Sequence, residues 1–377
     1  MKKMIKEDIA PSNVFISNNT ILIVNDIISY GIKNKASDIH IRDYYGKCII
    51  EYRINGLIKE YKNDYSNSVE IISRIKIMSK MNVAEKRLPQ DGNITFENYD
   101  LRICVIPTIS GENVVIRILN STLDDISLKA LGFSTKSILN IQKAICKSHG
   151  LILVTGPTGS GKSTTLLSIT KLLNDGTRKI ISIEDPVENK VSGIVQVQVN
   201  DDIGLSFPTI LRSSLRSDPD VIIISEIRDE LTAKIAVRAS LTGHLVLATL
   251  HTNDCISSFA RLIDMNIPKY LILDSILMII SQRLLNSSDD KKIKNRLMIN
   301  EVLYLTEKEK DIFSKYTLNS DILENLKLLN FKTMMEDASE KGYNIWFWQN
   351  NLFKRNKYNF YEIFFKKTSL FNFSFFY

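Results

Sequence analysis

The chain has 377 residues, about 44% of them apolar and 24% charged, a composition typical of a globular protein long enough for two domains. Its formal net charge is +7, and a basic balance favours nucleic acid, anionic lipid or nucleotide partners. Much of this charge comes from lysines and an arginine near the C-terminal end, so no specific nucleic acid is expected. The four cysteines, which form no CxxC pair, argue against a disulfide framework or a cysteine-rich zinc site and indicate a reducing compartment (Cys48, Cys104, Cys146 and Cys255).

Membrane and export signals are not expected from the sequence. Lysines occur near the start of the chain, but no apolar segment follows them, so a signal peptide is not indicated. No apolar run reaches the length of a transmembrane helix, and the run 270–280 is expected to be a core helix. A membrane role would therefore depend on partners.

Residues 1–120 are predicted to form a small N-terminal α/β domain. The segment 48–58 reads as two strands around Asn55-Gly56, a dipeptide that favours hairpin turns. Residues 69–81 have helical apolar spacing, and residues 99–106 and 113–119 read as two further strands. A linker is expected over residues 121–135.

Residues 136–340 alternate short buried strands with helical stretches. The predicted strands are all-apolar or nearly so (151–155, 180–183, 221–224 and 245–249). Such runs, separated by helices, predict a parallel sheet that is covered on both faces.

Residues 341–377 form an atypical aromatic and basic tail. The last 33 residues hold 14 of the 32 aromatic residues of the chain, including Trp346 and Trp348. Three interpretations remain open: a poorly packed extension, a reading-frame accident, and a segment that binds lipid or a partner. Exposed aromatic clusters normally need a partner to be tolerated.

A glycine-rich loop follows the predicted strand 151–155 and fits the phosphate-loop pattern G-x-x-x-x-G-K-[ST]. Its glycines allow backbone N–H groups to face phosphate oxygens, and the following helix start favours anions. Lys162 would reach the β- and γ-phosphates, and the Ser163 hydroxyl would bind Mg²⁺. The predicted ATP-binding residues are the nine of this loop: Gly156, Pro157, Thr158, Gly159, Ser160, Gly161, Lys162, Ser163 and Thr164.

Two of the predicted strands end in acidic residues. Glu226 follows strand 221–224 and would hold Mg²⁺ or its water in a nucleotide-binding sheet, although many strands end in an acid at a solvent edge. Glu184, Asp185 and Glu188 follow strand 180–183. These residues are either an acidic turn exposed to solvent, or one of them is a base that orients the attacking water.

Two of the four histidines, His244 and His251, bracket strand 245–249. A lone histidine is usually structural. A histidine at each end of a buried strand, in a domain with a phosphate loop, is better placed to sense the γ-phosphate.

Five motifs in order resemble the type II secretion and type IV pilus assembly ATPase family over roughly residues 30–340. Residues 215–229 (LRSDPDVIIISEIRD) resemble the family's signature around its acidic strand, residues 184–188 its aspartate box, and residues 242–253 its histidine box. Residues 36–41 (ASDIHI) resemble the start of its N-terminal domain, and residues 87–92 and 101–119 resemble the rest of that domain.

The resemblance implies a RecA-like P-loop NTPase domain with a smaller N-terminal, PAS-like α/β domain. It also implies a homo-hexamer that binds ATP and Mg²⁺ and transmits motion to a polytopic platform protein of the inner membrane. The location implied is the cytoplasm, peripheral to the inner face of the cell membrane.

The family also implies individual residue roles. Glu188 becomes the water-activating base, and His251 lies near the γ-phosphate. Arg102 matches one of the arginines that the N-terminal domain supplies to the nucleotide, and a second such position is Asn93 here.

Other departures from the family pattern are informative. Ser225 stands where the family usually has glycine, and residues 286–295 lack the cysteines of the zinc module that many members carry, so no zinc is expected. In length the chain resembles the short competence-pilus ATPases. Residues 264–268 and 282–284 resemble the assembly branch rather than the retraction branch.

Three functions are therefore weighed: an assembly motor, a retraction motor, and a nucleotide-binding scaffold with little turnover. Ser225, Asn93 and the unusual tail suggest the scaffold. The presence of Lys162, Ser163, Glu188 and Glu226 argues against it, and an ATPase assay discriminates between enzyme and scaffold.

Overall fold

Two β-sheets organise the chain. The computed structural model describes residues 18–45, 47–65, 67–119, 126–286, 296–316 and 320–342. One sheet lies within residues 36–119 and the other within residues 150–304; the described residues up to 119 are called the N-terminal region below, and those from 126 the C-terminal region. The aromatic segment 345–377 lies outside the described residues. No helix in the described ranges has the length and apolarity that a membrane crossing requires.

The N-terminal region consists of a six-stranded sheet and two helices. The elements are α1 (Asn18–Lys33), β1 (Ala36–Tyr44), β2 (Lys47–Ile54), β3 (Leu57–Tyr65), α2 (Ser68–Met78), β4 (Gln90–Phe96), β5 (Tyr99–Thr108) and β6 (Gly111–Leu119). The strand order is β3-β2-β1-β6-β5-β4, and every neighbouring pair is antiparallel.

The alternating pattern of these strands explains why one face of the sheet is buried. In β5, Leu101, Ile103 and Val105 are buried and pack in one core with residues of α1 and α2, whereas Arg102 is exposed on the opposite face. The predicted hairpin around Asn55-Gly56 is confirmed, and both residues adopt positive φ angles of 52° and 81°.

The predicted helix 69–81 is three residues too long at its C-terminal end. Helix α2 ends at Met78, where Ser79 forms the C-cap and its backbone N–H and hydroxyl group both donate to the Ile75 carbonyl. Lys80 then adopts a φ angle of 58°, which helical backbone cannot contain. This local chemistry is invisible to apolar spacing.

The C-terminal region consists of a seven-stranded sheet flanked by helices. Its strands are β7 (Gly150–Thr155), β8 (Ile180–Glu184), β9 (Val195–Gln198), β10 (Val221–Ile224), β11 (Leu245–Leu250), β12 (Ile276–Asn286) and β13 (Arg296–Tyr304). Its α-helices are α3 (Thr135–Ile145), α4 (Lys162–Leu173), α5 (Phe207–Ser214), α6 (Glu230–Leu241), α7 (Cys255–Asp264), α8 (Lys269–Ser275), α9 (Glu307–Lys315), α10 (Ser320–Leu328) and α11 (Met334–Glu340), with one 3₁₀ turn at Asp201–Ile203.

The strand order of this sheet is β13-β12-β7-β11-β10-β8-β9. All neighbours are parallel except β12 and β13, so the sheet is mixed at one edge rather than wholly parallel as predicted. The four predicted strands are confirmed as β7, β8, β10 and β11. In β7, Leu151 and Leu153 belong to one core and Ile152 and Val154 to another, so both faces of the sheet are covered.

The predicted core helix over 270–280 is wrong in its second half. Helix α8 ends at Ser275, and Ile276 begins β12, which pairs with β7. Ile276, Met278, Ile279 and Ile280 are all buried. The run 276–280 contributes side chains to the cores on both faces of the sheet and contains no polar residue, so its sequence is indistinguishable from that of a buried helix.

Candidate functional site

The glycine-rich loop connects β7 to α4 at the carboxyl edge of the second sheet. Gly161 forms the N-cap of α4 with a φ angle of 88°, and Gly159 adopts 76°, so both lie in the left-handed region that favours glycine. At Gly156 packing also matters, because an added Cβ would lie 2.4 Å from the Gln282 carbonyl oxygen. The loop is therefore fixed by backbone conformation and by close approach to β12.

Lys162 folds back across this loop. Its Nζ atom donates to the carbonyl oxygens of Gly156 at 2.9 Å and Pro157 at 3.2 Å. Burial lowers the pKa of Lys162, and the nearby Glu226 carboxylate partly opposes this effect. The ammonium group is thus held over the loop and is partly deprived of water, so an anion that reaches it gains more than it would at an exposed lysine.

The residues present fit a phosphate group. Helix α4 begins inside the loop with a glycine N-cap, so no side chain caps its first N–H groups. The Ser160 hydroxyl and the Thr155 hydroxyl are buried without a hydrogen-bond partner within the described structure. Ser163 is exposed one residue after Lys162. The loop therefore offers unpaired donors, a cation and an accessible hydroxyl group together.

Glu226 contacts both Arg228 and the histidine box. Its Oε1 atom lies 3.0 Å from His251 Nε2, and its Oε2 atom accepts a hydrogen bond from Arg228 Nε at 2.9 Å. Arg228 also donates from Nη1 to Asp185 Oδ2 at 3.0 Å. One carboxylate and one arginine thus connect the ends of β8, β10 and β11, as parallel strands allow.

The charges around His251 favour its neutral form. Burial lowers the pKa of His251, as do the Lys162 and Arg228 cations, while the Glu226 carboxylate raises it. The Glu226 carboxylate raises the pKa of Arg228, mainly through their hydrogen bond, so the guanidinium stays charged.

The two candidate bases of the aspartate box differ in their surroundings. Glu184 ends β8, and its Oε1 atom accepts hydrogen bonds from the Ser182 hydroxyl at 2.8 Å and from Gln196 Nε2 at 2.9 Å. Glu188 lies on the loop that follows, is exposed, and forms no hydrogen bond or ion pair with other described residues. The structure therefore brings Glu226 and His251 into contact but does not bring Glu188 to them.

His244 does not belong to this site. It lies at the amino-terminal end of β11, whereas His251 follows its carboxyl-terminal end. His244 Nδ1 lies 3.2 Å from the Ala239 carbonyl oxygen at the end of α6. The prediction that both histidines are placed to sense the γ-phosphate is therefore wrong for His244, because a strand separates the two by about seven residues at roughly 3.3 Å each.

Arg102 and Asn93 lie side by side on the N-terminal sheet. They are directly opposite each other in the pairing of β4 with β5, and Arg117 is opposite Arg102 on the other side. Arg102 is exposed and has no hydrogen bond or ion pair within the described residues, whereas Arg117 donates to Asp38 at 2.9 Å. The structure does not bring Arg102 into contact with the glycine-rich loop.

A comparison with known protein families decides the family. The family model described as type II/IV secretion system protein matches residues 17–343 of the chain. This chain belongs to that family.

Curated relatives of this family member include type II secretion system protein E from Pseudomonas aeruginosa, 43% identical over 269 residues. The match covers 70% of this chain and 54% of that protein. A putative type II secretion system protein E from Escherichia coli K12 is 46% identical over 269 residues, which are 70% of this chain and 55% of that protein. The chain thus spans about half the length of the curated relatives it matches.

Solved structures of similar fold support the RecA-like assignment. The pilus retraction motor PilT with bound ADP superposes with a TM-score of 0.68 at 29% identity, covering 84% of this chain and 92% of PilT. The Legionella pneumophila ATPase DotB superposes with a TM-score of 0.70 at 24% identity, covering 88% of this chain and 94% of DotB. At 24% identity, the similarity to DotB concerns the fold alone.

Two residues of this family member were not predicted as part of the site. Arg228 lies within the acidic-strand motif 215–229 and is not predicted as a site residue, although the charge alternation Glu226-Ile227-Arg228 is a signal of an ion pair. Gln282 lies under the glycine-rich loop, and its Nε2 atom donates to the Ser160 carbonyl at 2.8 Å. No local pattern could reveal that contact, because 122 residues separate Gln282 from Ser160.

The metal prediction concerns Ser163 and Glu226. In the described ranges no group of three or more His, Cys, Asp or Glu side chains is arranged to hold a metal ion. A Mg²⁺ ion of a nucleotide site takes few protein ligands and completes its shell with phosphate oxygens and water, so two oxygen ligands fit that chemistry. Residues 287–295, most of the segment that lacks the zinc-module cysteines, lie outside the described residues.

Proposed function

We propose that this chain is a Mg²⁺-dependent ATPase that powers assembly of a type IV pilus, a competence pseudopilus or a type II secretion system. The observation that carries the proposal is the contact of Glu226 with His251 beside Lys162, at the end of a glycine loop with unpaired donors. Nucleotide hydrolases of the P-loop class combine a phosphate-binding loop with an acidic residue at the end of a neighbouring strand. In this chain a neutral histidine lies beside that acidic residue.

The nine loop residues 156–164 would bind the phosphates of ATP, with Lys162 supplying the cation. Ser163 and Glu226 would supply oxygen ligands to Mg²⁺, which neutralises phosphate charge when it is bound with the nucleotide. His251, neutral and oriented by Glu226, would lie near the γ-phosphate at the edge of the loop. It would thereby sense whether the γ-phosphate is present.

Glu188 is proposed as the base that accepts a proton from water. Glu184 is already engaged with Ser182 and Gln196, whereas Glu188 has no such hydrogen bonds in the described structure and lies on the loop after β8. A carboxylate free of donors is the better proton acceptor.

Arg102 is proposed to reach the nucleotide from the N-terminal domain, within a homo-hexamer. Its guanidinium is exposed and unpaired in the described part of the chain, so it is available to a neighbouring domain or subunit. We further propose the domain division 1–120, 121–135, 136–340 and 341–377, with a PAS-like first domain.

The proposed partner is a polytopic platform protein of the inner membrane, and the proposed location is the cytoplasmic face of that membrane. The names of the curated relatives support a secretion role. The likeness to the retraction motor PilT keeps retraction as the second candidate. The identities of 43–46% to secretion proteins favour assembly.

The test is made in the bacterium that encodes the chain. Deletion of the gene should abolish surface pili or secretion, and the wild-type gene should restore them while Lys162→Ala should not. Excess pili after deletion would instead identify a retraction motor. Restoration by Lys162→Ala as complete as by the wild type would identify a scaffold.

A further inference from the structure

Gln282 lies beside the phosphate loop on a strand that carries none of the predicted site residues. Strand β12 runs parallel to β7, and Ser281 pairs with Thr155, the last residue of β7. The next residue, Gln282, therefore extends past the end of β7 to the point where the loop begins. Its side chain has no exposed surface.

The Gln282 amide connects two parts of the loop region. Nε2 donates to the Ser160 carbonyl oxygen at 2.8 Å, and Oε1 accepts from the Thr165 hydroxyl at 2.8 Å. Ser160 lies within the loop, and Thr165 lies in the first turn of α4. One side chain thus fixes the loop relative to the helix whose amino terminus faces the ligand.

The same strand also explains two of the glycines. A Cβ at Gly156 would lie 2.4 Å from the Gln282 carbonyl oxygen, and a Cβ at Gly161 would lie 3.2 Å from Gln282 Nε2. The loop therefore packs directly on Gln282, and its path depends on both the backbone and the side chain of this residue.

Only a glutamine has the required chemistry at this length. A glutamate would place a carboxylate against the Ser160 carbonyl and add negative charge under a site for anions. A methionine would fill the space but leave the Ser160 carbonyl and the Thr165 hydroxyl without their partner.

We propose that Gln282 is a positioning residue that holds the loop 156–164 in its phosphate-binding shape before a nucleotide arrives. This inference rests on the proposed nucleotide-binding function. Preorganisation of this kind raises affinity because the loop needs no ordering when the ligand binds.

The experiment compares Gln282→Met, Thr165→Val and the double variant with wild type in the full chain. Ile280→Val is the matched control, because Ile280 is buried on the same strand and pairs with Val154 rather than with the loop. Three quantities are measured: the melting temperature, the affinity for a fluorescent ATP analogue with Mg²⁺, and amide hydrogen exchange of residues 156–165 without nucleotide.

We expect Gln282→Met to weaken analogue binding by about tenfold or more, since a buried hydrogen bond of about 1.4 kcal/mol corresponds to tenfold. Exchange over 156–165 should accelerate, and Thr165→Val should show part of both effects. The double variant should be little worse than Gln282→Met, because the two residues share one interaction. Ile280→Val should lower the melting temperature without changing affinity or loop exchange.

Wild-type affinity and loop exchange in Gln282→Met, or simple addition of the two single effects, would overturn the proposal. If Gln282→Met does not fold, the proposal is tested by the nucleotide affinity and the loop exchange of Thr165→Val alone. Wild-type values of both in that variant would overturn it. A wild-type chain that binds no analogue would refute the proposed function instead, while exchange of the nucleotide-free loop would still report on Gln282.

Discussion

In the C-terminal region, Lys162, Glu226 and His251 are held by contacts with the glycine loop or with one another, whereas Arg102 in the N-terminal region is exposed and unpaired within the described residues. The first set is built by parallel strands that end at one edge. The second lies on the open face of an antiparallel sheet. The difference teaches that the C-terminal region positions its candidate residues by itself, whereas the proposed role of Arg102 requires a surface that the N-terminal sheet does not supply.

The largest expected effect on ATP hydrolysis and binding comes from Lys162 in the glycine-rich loop of the C-terminal region. Lys162→Ala should reduce ATP hydrolysis to background and weaken nucleotide binding by more than tenfold, because charge-assisted hydrogen bonds of about 1.5–3 kcal/mol each are lost. Phosphate release and fluorescent-nucleotide titration measure the two effects. Lys171→Ala, an exposed lysine on the same helix, is the control and should change neither. Near-normal hydrolysis in Lys162→Ala would refute the loop assignment.

The aspartate box should show the next largest effect. Glu188→Gln should keep ATP binding but lower kcat by about 10²–10⁴, the usual contribution of a general base, because an amide cannot accept the proton of water. Glu184→Gln is the matched control, since Glu184 is engaged with Ser182 and Gln196. A normal rate in Glu188→Gln with a large loss in Glu184→Gln would show that the wrong carboxylate was assigned.

Arg102→Ala tests the half of the site that the chain does not complete by itself. It should lower kcat much more than it weakens ATP binding, toward the lower end of the roughly 10³–10⁵ that an arginine finger supplies in small GTPases. Asn93→Arg, directly opposite on β4, should raise kcat if a second arginine is missing. Arg42→Ala is the control, because Arg42 already pairs with Glu51 on the same sheet. No change in either quantity for Arg102→Ala would remove the N-terminal region from the site.

The smallest expected effect on ATP turnover belongs to Glu301 on β13, whose influence is on stability instead. This buried carboxylate accepts from the backbone N–H groups of Cys255 and Met334, the first residues of α7 and α11. Burial raises the pKa of Glu301 to about 7 from its ordinary value of 4.5. The folded chain therefore holds a proton there that the unfolded chain has lost, so the free energy of unfolding should fall as pH rises from about 4.5 to about 7.

Denaturant titrations across this pH range should show the slope in wild type and a weaker slope in Glu301→Gln. The variant should also be less stable at neutral pH, because its amide NH₂ would face a backbone N–H. Glu340→Gln, an exposed carboxylate of α11, should leave the slope unchanged. An identical slope in Glu301→Gln and wild type would show that Glu301 does not titrate in this range.

The sequence predicts the parts of this molecule whose chemistry is local. The glycine and lysine spacing of 156–164 specifies a phosphate loop directly, and the apolar strands β7, β8, β10 and β11 are recognisable by themselves. The first five residues of β12, 276–280, are predicted as helix because burial on both faces removes the two-residue period. Gln282 lies beyond that predicted helix, and the sequence does not indicate it as a site residue because its role exists only when β12 lies beside β7.

Strand direction and register account for the other differences. His244 and His251 are equivalent in sequence as neighbours of one strand, but only the carboxyl end of β11, where Leu250 pairs with Thr155, lies beside the start of the loop. The juxtaposition of Arg102 with Asn93 depends on the register of β4 with β5. Register follows from which faces are buried, and motifs read along the chain do not contain it.

The most direct test of the central claim is steady-state ATP turnover by the wild-type chain, measured beside fluorescent-nucleotide binding on the same preparation. The account predicts saturable binding together with phosphate release that requires Mg²⁺ and increases when the subunits assemble. Tight binding without turnover above background, with Mg²⁺ and at concentrations where the chain is assembled, would contradict it and identify a nucleotide-binding scaffold.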